Sequence, residues 1–413
     1  MSGAGRTIYI AGAGIAGLTL ALALAKFGAT VVLLERNKNI QEVGAGLQIG
    51  PNARRVLNQL GLDRQLQSRA FEPTGIEVYP FRARRPLTTL ALGKTIASRF
   101  GAPYTVMHRA DLAQTLYNAC KRFANIEVLF GIKTFDVVSH PHGVSIIVDE
   151  AGGMARSTSA FAFVGADGVH SHTRTAVMGG PPAKYSGGVA WRTTLPMSAL
   201  QAVLPPDKVC LLMAPGYHAV CYPLPYRNQV NVALFSSVKE DVALGPNPPR
   251  EPKLPWAALP SRHFEAIIAA AKDAWGYWPL STVETGTWHT GSIGLVGDAA
   301  HAMLPHQAQG AAMGIEDAAI LAPLLMTEPD AESAFRRYAA MRQPRVARVR
   351  QVSNANGLIF HMEWPFTLGR DAVIALQGSH AHLSRLKWLY GYHAVPEPEI
   401  AGPRRPENST PEN

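Results

Sequence analysis

The sequence predicts an α/β protein: a Rossmann-like dinucleotide-binding domain with an inserted, mainly antiparallel β-sheet domain and a C-terminal helical segment. Three observations carry this prediction. Residues 7–36 read as strand, glycine turn, helix and strand. A second turn, Gly165-Ala-Asp167-Gly168, follows another apolar strand, Ala160 to Val164. From Gly188 to about Phe235 the chain is β-rich and carries many prolines, as an antiparallel sheet with open edges would.

In the first unit, Gly12, Gly14 and Gly17 occupy the three places of the GxGxxG fingerprint. They make the tight turn, let the backbone approach a pyrophosphate and let the helix pack closely on the strand. The helix that follows, Leu18 to Phe27, points its N-terminal N–H groups at the bound anion, and Gly28 stops it. Glu35 stands about 20 residues beyond the motif, where a carboxylate accepts from both ribose hydroxyls. The motif by itself does not separate FAD from NAD.

Residues 43–53 form a glycine-rich loop suited to lying flat against a planar ligand, with Pro51 in the first turn of the next helix. Thr74 to Ser98 alternates like short strands, and Leu112 to Phe123 is a helix. Arg109, just before that helix, is either a surface cation or a phosphate ligand. Residues 126–134 and 143–149 read as strands. Leu244 to Pro260 reads as a long connection, and helices are expected over Ile315–Met326 and Ala331–Asn356, the latter with a possible kink at Pro344.

A chain of 413 residues exceeds a single core. The expected division is 1–73, 101–180 and 286–342 for the nucleotide-binding domain and 74–100 and 181–285 for the sheet domain. C-terminal helices fill 343–395, and the Pro/Glu-rich tail 396–413 has too little apolar surface to fold.

With 47% hydrophobic and 17% charged residues the composition is that of an ordinary globular protein. The net charge of +9 is spread without a Lys/Arg block, so it points to a locally positive site for anionic ligands and not to nucleic acid. Cys120, Cys210 and Cys221 are odd in number and lack CxxC spacing, which predicts free thiols in a reducing cytoplasm. No run of 18 apolar residues is expected to cross a membrane, and Met1 to Arg6 is too short for a signal peptide.

Four features in this order, GAGIAG at 12–17, Arg109 in HRADL, GADGVHS at 165–171 and GDAAHAMLPHQAQGAAMGIEDA at 297–318, resemble the single-component FAD-dependent aromatic hydroxylases. The salicylate hydroxylase and 6-hydroxynicotinate 3-monooxygenase branch is most similar, through GAGLQIGPN, the Pro305-His-Gln-Ala-Gln-Gly310 run, Ser353-Asn-Ala-Asn356 and Leu389-Tyr-Gly-Tyr392. The resemblance implies FAD as cofactor, NAD(P)H as transient co-substrate, O2, and a C4a-hydroperoxyflavin that hydroxylates a small hydroxylated aromatic or heteroaromatic acid. A homodimer is compatible with it.

By the same resemblance Glu35 holds the adenosine ribose, Arg109 the flavin phosphate region and Asp298 the ribityl chain. Gly310, Ala311 and Ala312 line the isoalloxazine ring, and Asp167 meets both FAD and NAD(P)H. Ala16, Arg36, Gln48, Thr134 and Pro305 complete the expected cofactor contacts.

An electrophilic oxygen attacks a ring efficiently once a ring hydroxyl is ionised, so the site needs a base. His218 and Tyr222, four apart in a strand, share a face, but spacing alone favours a structural role for both. The resemblance makes Tyr222 the expected proton acceptor, His218 its partner or a carboxylate ligand, and His306 a third choice. Gln48 stands where the hydroxynicotinate enzymes carry a histidine, and an amide takes up no proton at neutral pH. The rival readings are an FAD dehydrogenase or reductase without oxygen insertion, and a nucleotide-binding regulatory protein without turnover.

Overall fold

The computed structural model describes residues 5–40, 46–149, 155–254 and 261–394. Its first sheet has six strands, in the order His289–Thr290, Ile293–Leu295, Ala162–Gly165, Thr7–Ala11, Thr30–Glu35 and Ile126–Phe130. Every pairing is parallel except that between the first two. Parallel strands are covered on both faces, which is why Thr30–Glu35 reads as an almost unbroken apolar run.

Helices Ile15–Lys26 and Gly310–Thr327 cover one face. Both are apolar nearly all round, so they can only be core helices. They meet at small residues, since a Cβ on Gly314 would stand 2.9 Å from that of Ala16. Gly310–Thr327 has the length and hydropathy of a membrane span, against the expectation that no such run exists, but it is largely buried inside the protein. On the other face an antiparallel sheet of Phe135–His140, Gly143–Asp149 and Ala155–Ala160 packs Val144, Ile146 and Val148 against Tyr9, Val32 and Phe163.

The second large sheet has seven strands, in the order Gly276–Thr282, Lys184–Pro196, Gln229–Ser237, Tyr217–Leu224, Lys208–Ala214, Gly75–Tyr79 and Thr88–Ala91. All pairings are antiparallel except that of Lys208–Ala214 with Gly75–Tyr79. Period-two alternation divides strand Tyr217–Leu224 between two environments. Tyr217, Ala219 and Cys221 join a core with Phe264 and Ile267 of helix Arg262–Ala271. His218, Val220 and Tyr222 face the other way.

Several local expectations change. Gly46–Ile49 is a strand paired with Thr105–His108, not a loop, and Val43 to Ala45 of the expected loop lie outside the described residues. Within the expected strand region 74–98, residues from Gly93 form helix Gly93–Phe100, because Ile96 and Phe100 bury together one turn apart. The helix expected from Leu112 starts at Arg109, where the His108 ring accepts from the Ala110 N–H at 3.2 Å. Helix Arg262–Ala271 and the strands from Phe135 and Ala155 were not legible in the sequence. Helix Ala331–Phe360 continues through Pro344 and across the boundary expected at 342. The tail 396–413 lies outside the described residues.

Candidate cofactor groove and active site

A groove of about 340 Å³ runs along the C-terminal ends of the parallel strands, where an open α/β sheet binds ligands. Gly12, Gly14, Ala16, Glu35, Arg36, Arg109, Asp167, Asp298, Gly310 and Ala311 all line it. Gly12 has φ +99°, and a Cβ there would stand 2.5 Å from the Ala166 carbonyl oxygen, so only glycine serves. Gly17 acts behind the groove. Its Cβ would strike the Gly12 carbonyl oxygen at 2.0 Å, which is the close helix–strand approach that the motif requires.

Glu35, at one end of the groove, is held by its own turn. Its Oε2 accepts from Ala13 N at 3.0 Å, and its Oε1 accepts from Asn37 N at 2.8 Å and Asn37 Nδ2 at 2.7 Å. At the other end helix Gly310–Thr327 begins. A Cβ on Gly310 would meet only Asp298 Oδ1, at 4.0 Å, so the space before this helix start is open. A buried polar network fixes that start. Asn52 Nδ2 donates to Gln309 Oε1 at 2.9 Å and to Glu316 Oε1 at 2.7 Å, and Arg342 and Arg345 bind Glu316.

Asp317 completes the network. It accepts from Gly297 N at 2.9 Å and Arg342 Nε at 2.7 Å, and lies 2.6 Å from His301 Nε2. Burial alone would raise its carboxyl pKa, but His301, Arg342 and the Gly297 N–H outweigh that and hold it well below the usual carboxylate range. The GD loop and the helix start are thus one rigid unit. Sequence reading missed Gln309, Glu316 and Asp317 as supports.

Some expected contacts stand elsewhere. Thr134 is off the groove, with its hydroxyl donating to Asp149 Oδ2 at 2.5 Å. Ala312 is buried in the core, and Pro305 begins a single 3₁₀ turn outside the groove lining. Gln48 projects from its strand to accept from the Tyr104 hydroxyl at 2.5 Å. Asp167 lines the groove, but its carboxylate already binds Ser171 Oγ at 2.6 Å and Thr173 N at 2.9 Å, organising its own turn.

The outward face of the seven-stranded sheet carries the remaining polar groups. Tyr222 and His218 share that face, but four strand residues separate them by roughly 13 Å. They therefore do not stand side by side as the partners that the resemblance implied, and each has its own surroundings. Tyr222 packs against Gly46, where an added Cβ would stand 2.7 Å from its hydroxyl. Its cross-strand neighbour Asn231 accepts from Gly46 N at 2.7 Å. Burial pushes the Tyr222 phenol up, against the pull of Arg192.

His218 stacks on Phe235 at 4.7 Å, has His306 at 5.1 Å, and hydrogen-bonds through Nδ1 to His361 Nε2 at 2.7 Å. Its Nε2 is buried without a partner. Burial, then His361 and His306, hold its pKa well below the usual histidine value.

Arg192 was missed in the sequence although a cation amid the apolar strand Val189-Ala-Trp-Arg192 signals it. Its Nε is buried and unpartnered, and burial first, then Arg109, lower its pKa while Tyr222 opposes them. Among the described residues no carboxylate pairs with it. His361 had no sequence signal.

A groove with a held carboxylate at one end and a supported, open helix start at the other is the site of a dinucleotide-binding protein, and the family match makes the class the FAD-dependent oxidoreductases. The chain belongs to the family described as FAD binding domain, whose model matches residues 6–353, and within it to the single-component aromatic hydroxylases. It is 33% identical to 3-amino-4-hydroxybenzoate 2-monooxygenase PtnB3 of Streptomyces platensis over 94% of this chain and 96% of that one. It is 30% identical to 3-hydroxybenzoate 6-hydroxylase 1 of Aquipseudomonas alcaligenes, over 94% and 98%. HpxO of Klebsiella pneumoniae, complexed with FAD and uric acid, shares its fold with a TM-score of 0.75 at 21% identity, covering 93% of this chain and 96% of that one.

Proposed function

We propose that the protein is an NAD(P)H- and O2-dependent FAD monooxygenase that hydroxylates a small aromatic or heteroaromatic carboxylic acid bearing a ring hydroxyl. Arg192 carries this reading. A half-buried guanidinium whose Nε is buried and unpartnered, without a carboxylate partner among the described residues and on the sheet face that also bears Tyr222 and Asn231, is suited to a substrate carboxylate. The named relatives act on hydroxybenzoates, which fits.

The residues present suit FAD. Glu35 would hold the adenosine ribose, Arg109 the phosphate region and Asp298 the ribityl chain, with the backbone at Gly310 and Ala311 beside the ring. Bound FAD supplies the redox chemistry: it takes electrons from NAD(P)H and activates O2. The chain's own work is to orient the acid, exclude water and hold a proton. Asp167 keeps its turn in shape at the groove, and docking of NAD(P)H there is part of the same proposal.

The expected order of bases changes in our reading. A phenol pushed up by burial stays protonated, so Tyr222 donates a hydrogen bond to the substrate oxygen. His218, held neutral with a free buried Nε2, is the better proton acceptor. Gln48, bound to Tyr104, shapes the wall and takes no proton. His306 flanks His218 as a second neutral imidazole.

The cytosol is the compartment we assign, because all three cysteines are buried free thiols. The test is oxygen uptake coupled to NAD(P)H oxidation, screened over hydroxybenzoates, 3-amino-4-hydroxybenzoate and hydroxypyridine carboxylates. A stimulated, product-forming reaction is expected. Arg192→Met should weaken binding of the acid but not of the corresponding carboxamide. NAD(P)H oxidation to a reduced organic product without oxygen uptake would replace this reading with the dehydrogenase.

A further inference from the structure

We propose that His361 is a positioning residue for His218 and the exit for the proton that His218 takes up. The inference rests on the reading above, in which His218 accepts the substrate hydroxyl proton. The two rings share one hydrogen bond, His218 Nδ1 to His361 Nε2 at 2.7 Å, so one nitrogen carries the proton and the other accepts it.

His361 is fixed from several sides. It caps the long helix Ala331–Phe360, with its N–H donating to the Gly357 carbonyl at 3.3 Å. Its own carbonyl accepts from Gly216 N at 3.1 Å, tying it to the hairpin turn that leads into the His218 strand. Gly357, one helical turn earlier, leaves room for His306, whose Nε2 would stand 2.9 Å from a Cβ there. Phe235 stacks on the His218 ring at 4.7 Å, and Phe360 lies tilted to it at 5.1 Å.

What is missing from this cluster decides the role. The titratable groups facing His218 are His361 and His306, and among the described residues no carboxylate joins them. A histidine base is commonly oriented by a carboxylate, which stabilises the imidazolium once it forms. Here the orienting group is a neutral imidazole, and a cation retained on fully buried His218 would go uncompensated. His361 is less buried than His218 and offers the charge a way out.

The transfer conserves protons. The substrate O–H bond breaks as an N–H bond forms at His218 Nε2. The His218 Nδ1–H bond breaks as one forms at His361 Nε2. His361 then releases its Nδ1 proton to water, leaving the substrate as its oxyanion and both rings neutral. The resting state this requires has the proton on His218 Nδ1 and a lone pair on His218 Nε2, the nitrogen that no protein group engages.

Two measurements test it. The first needs no turnover: nitrogen-15 NMR of histidine-labelled, FAD-loaded enzyme should show His218 protonated at Nδ1 and His361 unprotonated at Nε2. The opposite tautomers would overturn the proposal, whatever the substrate proves to be. The second uses His361→Gln, which can keep a hydrogen bond but cannot carry a proton, and His361→Leu, which can do neither. With the acid that stimulates the wild type, both should keep FAD and substrate affinity yet form product about 100-fold more slowly, at the lower end of a general base's contribution. Added imidazole should restore part of the rate in His361→Leu. Wild-type product formation in His361→Gln, or parallel losses of FAD and substrate binding without imidazole rescue, would overturn the relay. If no acid in the panel stimulates the wild type, the functional reading fails, and the tautomer measurement alone decides the hydrogen-bond assignment.

Discussion

The Gly46 N–H donates to Asn231 Oδ1 at 2.7 Å, which ties strand Gly46–Ile49 to strand Gln229–Ser237 of the large sheet. The same Gly46 lies under the Tyr222 ring, where a Cβ would come within 2.5 Å of Cε2. Tyr222 is buried, so its ring has little room to yield. Gly46→Ala should cost about 1–3 kcal/mol of stability through overpacking. It should also reduce product formed per NAD(P)H consumed; thermal unfolding together with coupling measurements checks both effects.

Glu35 already accepts three hydrogen bonds around the first turn, so its carboxylate is fixed at the groove wall, where we propose that it meets the adenosine ribose. Glu35→Ala should weaken FAD binding roughly 10- to 100-fold, as expected for lost charge-assisted bonds. The NAD(P)H dependence of FAD-loaded enzyme should be unchanged. Fluorescence titration of FAD and steady-state kinetics separate the two, and a selective loss of NAD(P)H binding would reverse the assignment.

Tyr222→Phe and His218→Ala should differ in kind. Loss of the Tyr222 hydrogen bond should slow hydroxylation modestly and divert reducing equivalents to hydrogen peroxide. Loss of the His218 base should slow hydroxylation by roughly 10²- to 10⁴-fold. Product and peroxide yields per NAD(P)H, with flavin content checked, rank them; equal wild-type coupling in both variants would leave His306 as the base.

The histidine cluster should make the fold sensitive to mild acid. Burial lowers His361 from its ordinary 6.5 to about 4, and burial with the nearby His361 does the same to His306. Between those values the unfolded chain binds protons that the folded chain refuses, so stability rises with pH across about 4 to 6.5 and levels off above. His306→Asn and His361→Gln should each flatten this acid limb in melting temperature measured from pH 4.5 to 7.5.

Asp317 is fully buried among Gly297 N, His301 and Arg342. Asp317→Asn leaves Arg342 with only part of its counter-charge and should destabilise the protein by about 3–5 kcal/mol. FAD retention should fall with it, because the GD loop and helix Gly310–Thr327, which both line the groove, share this anchor. Soluble yield, melting temperature and bound FAD report the outcome.

The sequence by itself determined the nucleotide-binding half, because its chemistry is local. Three glycines, one carboxylate and a helix must follow one another at fixed spacing for a pyrophosphate and ribose to fit, so Gly12, Gly14, Gly17 and Glu35 could be read without a fold. The apolar periodicity of the main helices and the alternation of the large sheet were legible for the same reason. Helix Gly93–Phe100 and the strand Gly46–Ile49 were not, since long-range burial and pairing with Thr105–His108 decide them. The polar face of the large sheet belongs to the tertiary structure. Spacing placed His218 and Tyr222 on one face, but only packing showed that Tyr222 belongs with Gly46 and Arg192 while His218 belongs with His361, 143 residues away. Hydrogen bonds and buried charges between distant segments leave no period in the sequence, because nothing but the folded chain brings their partners within reach.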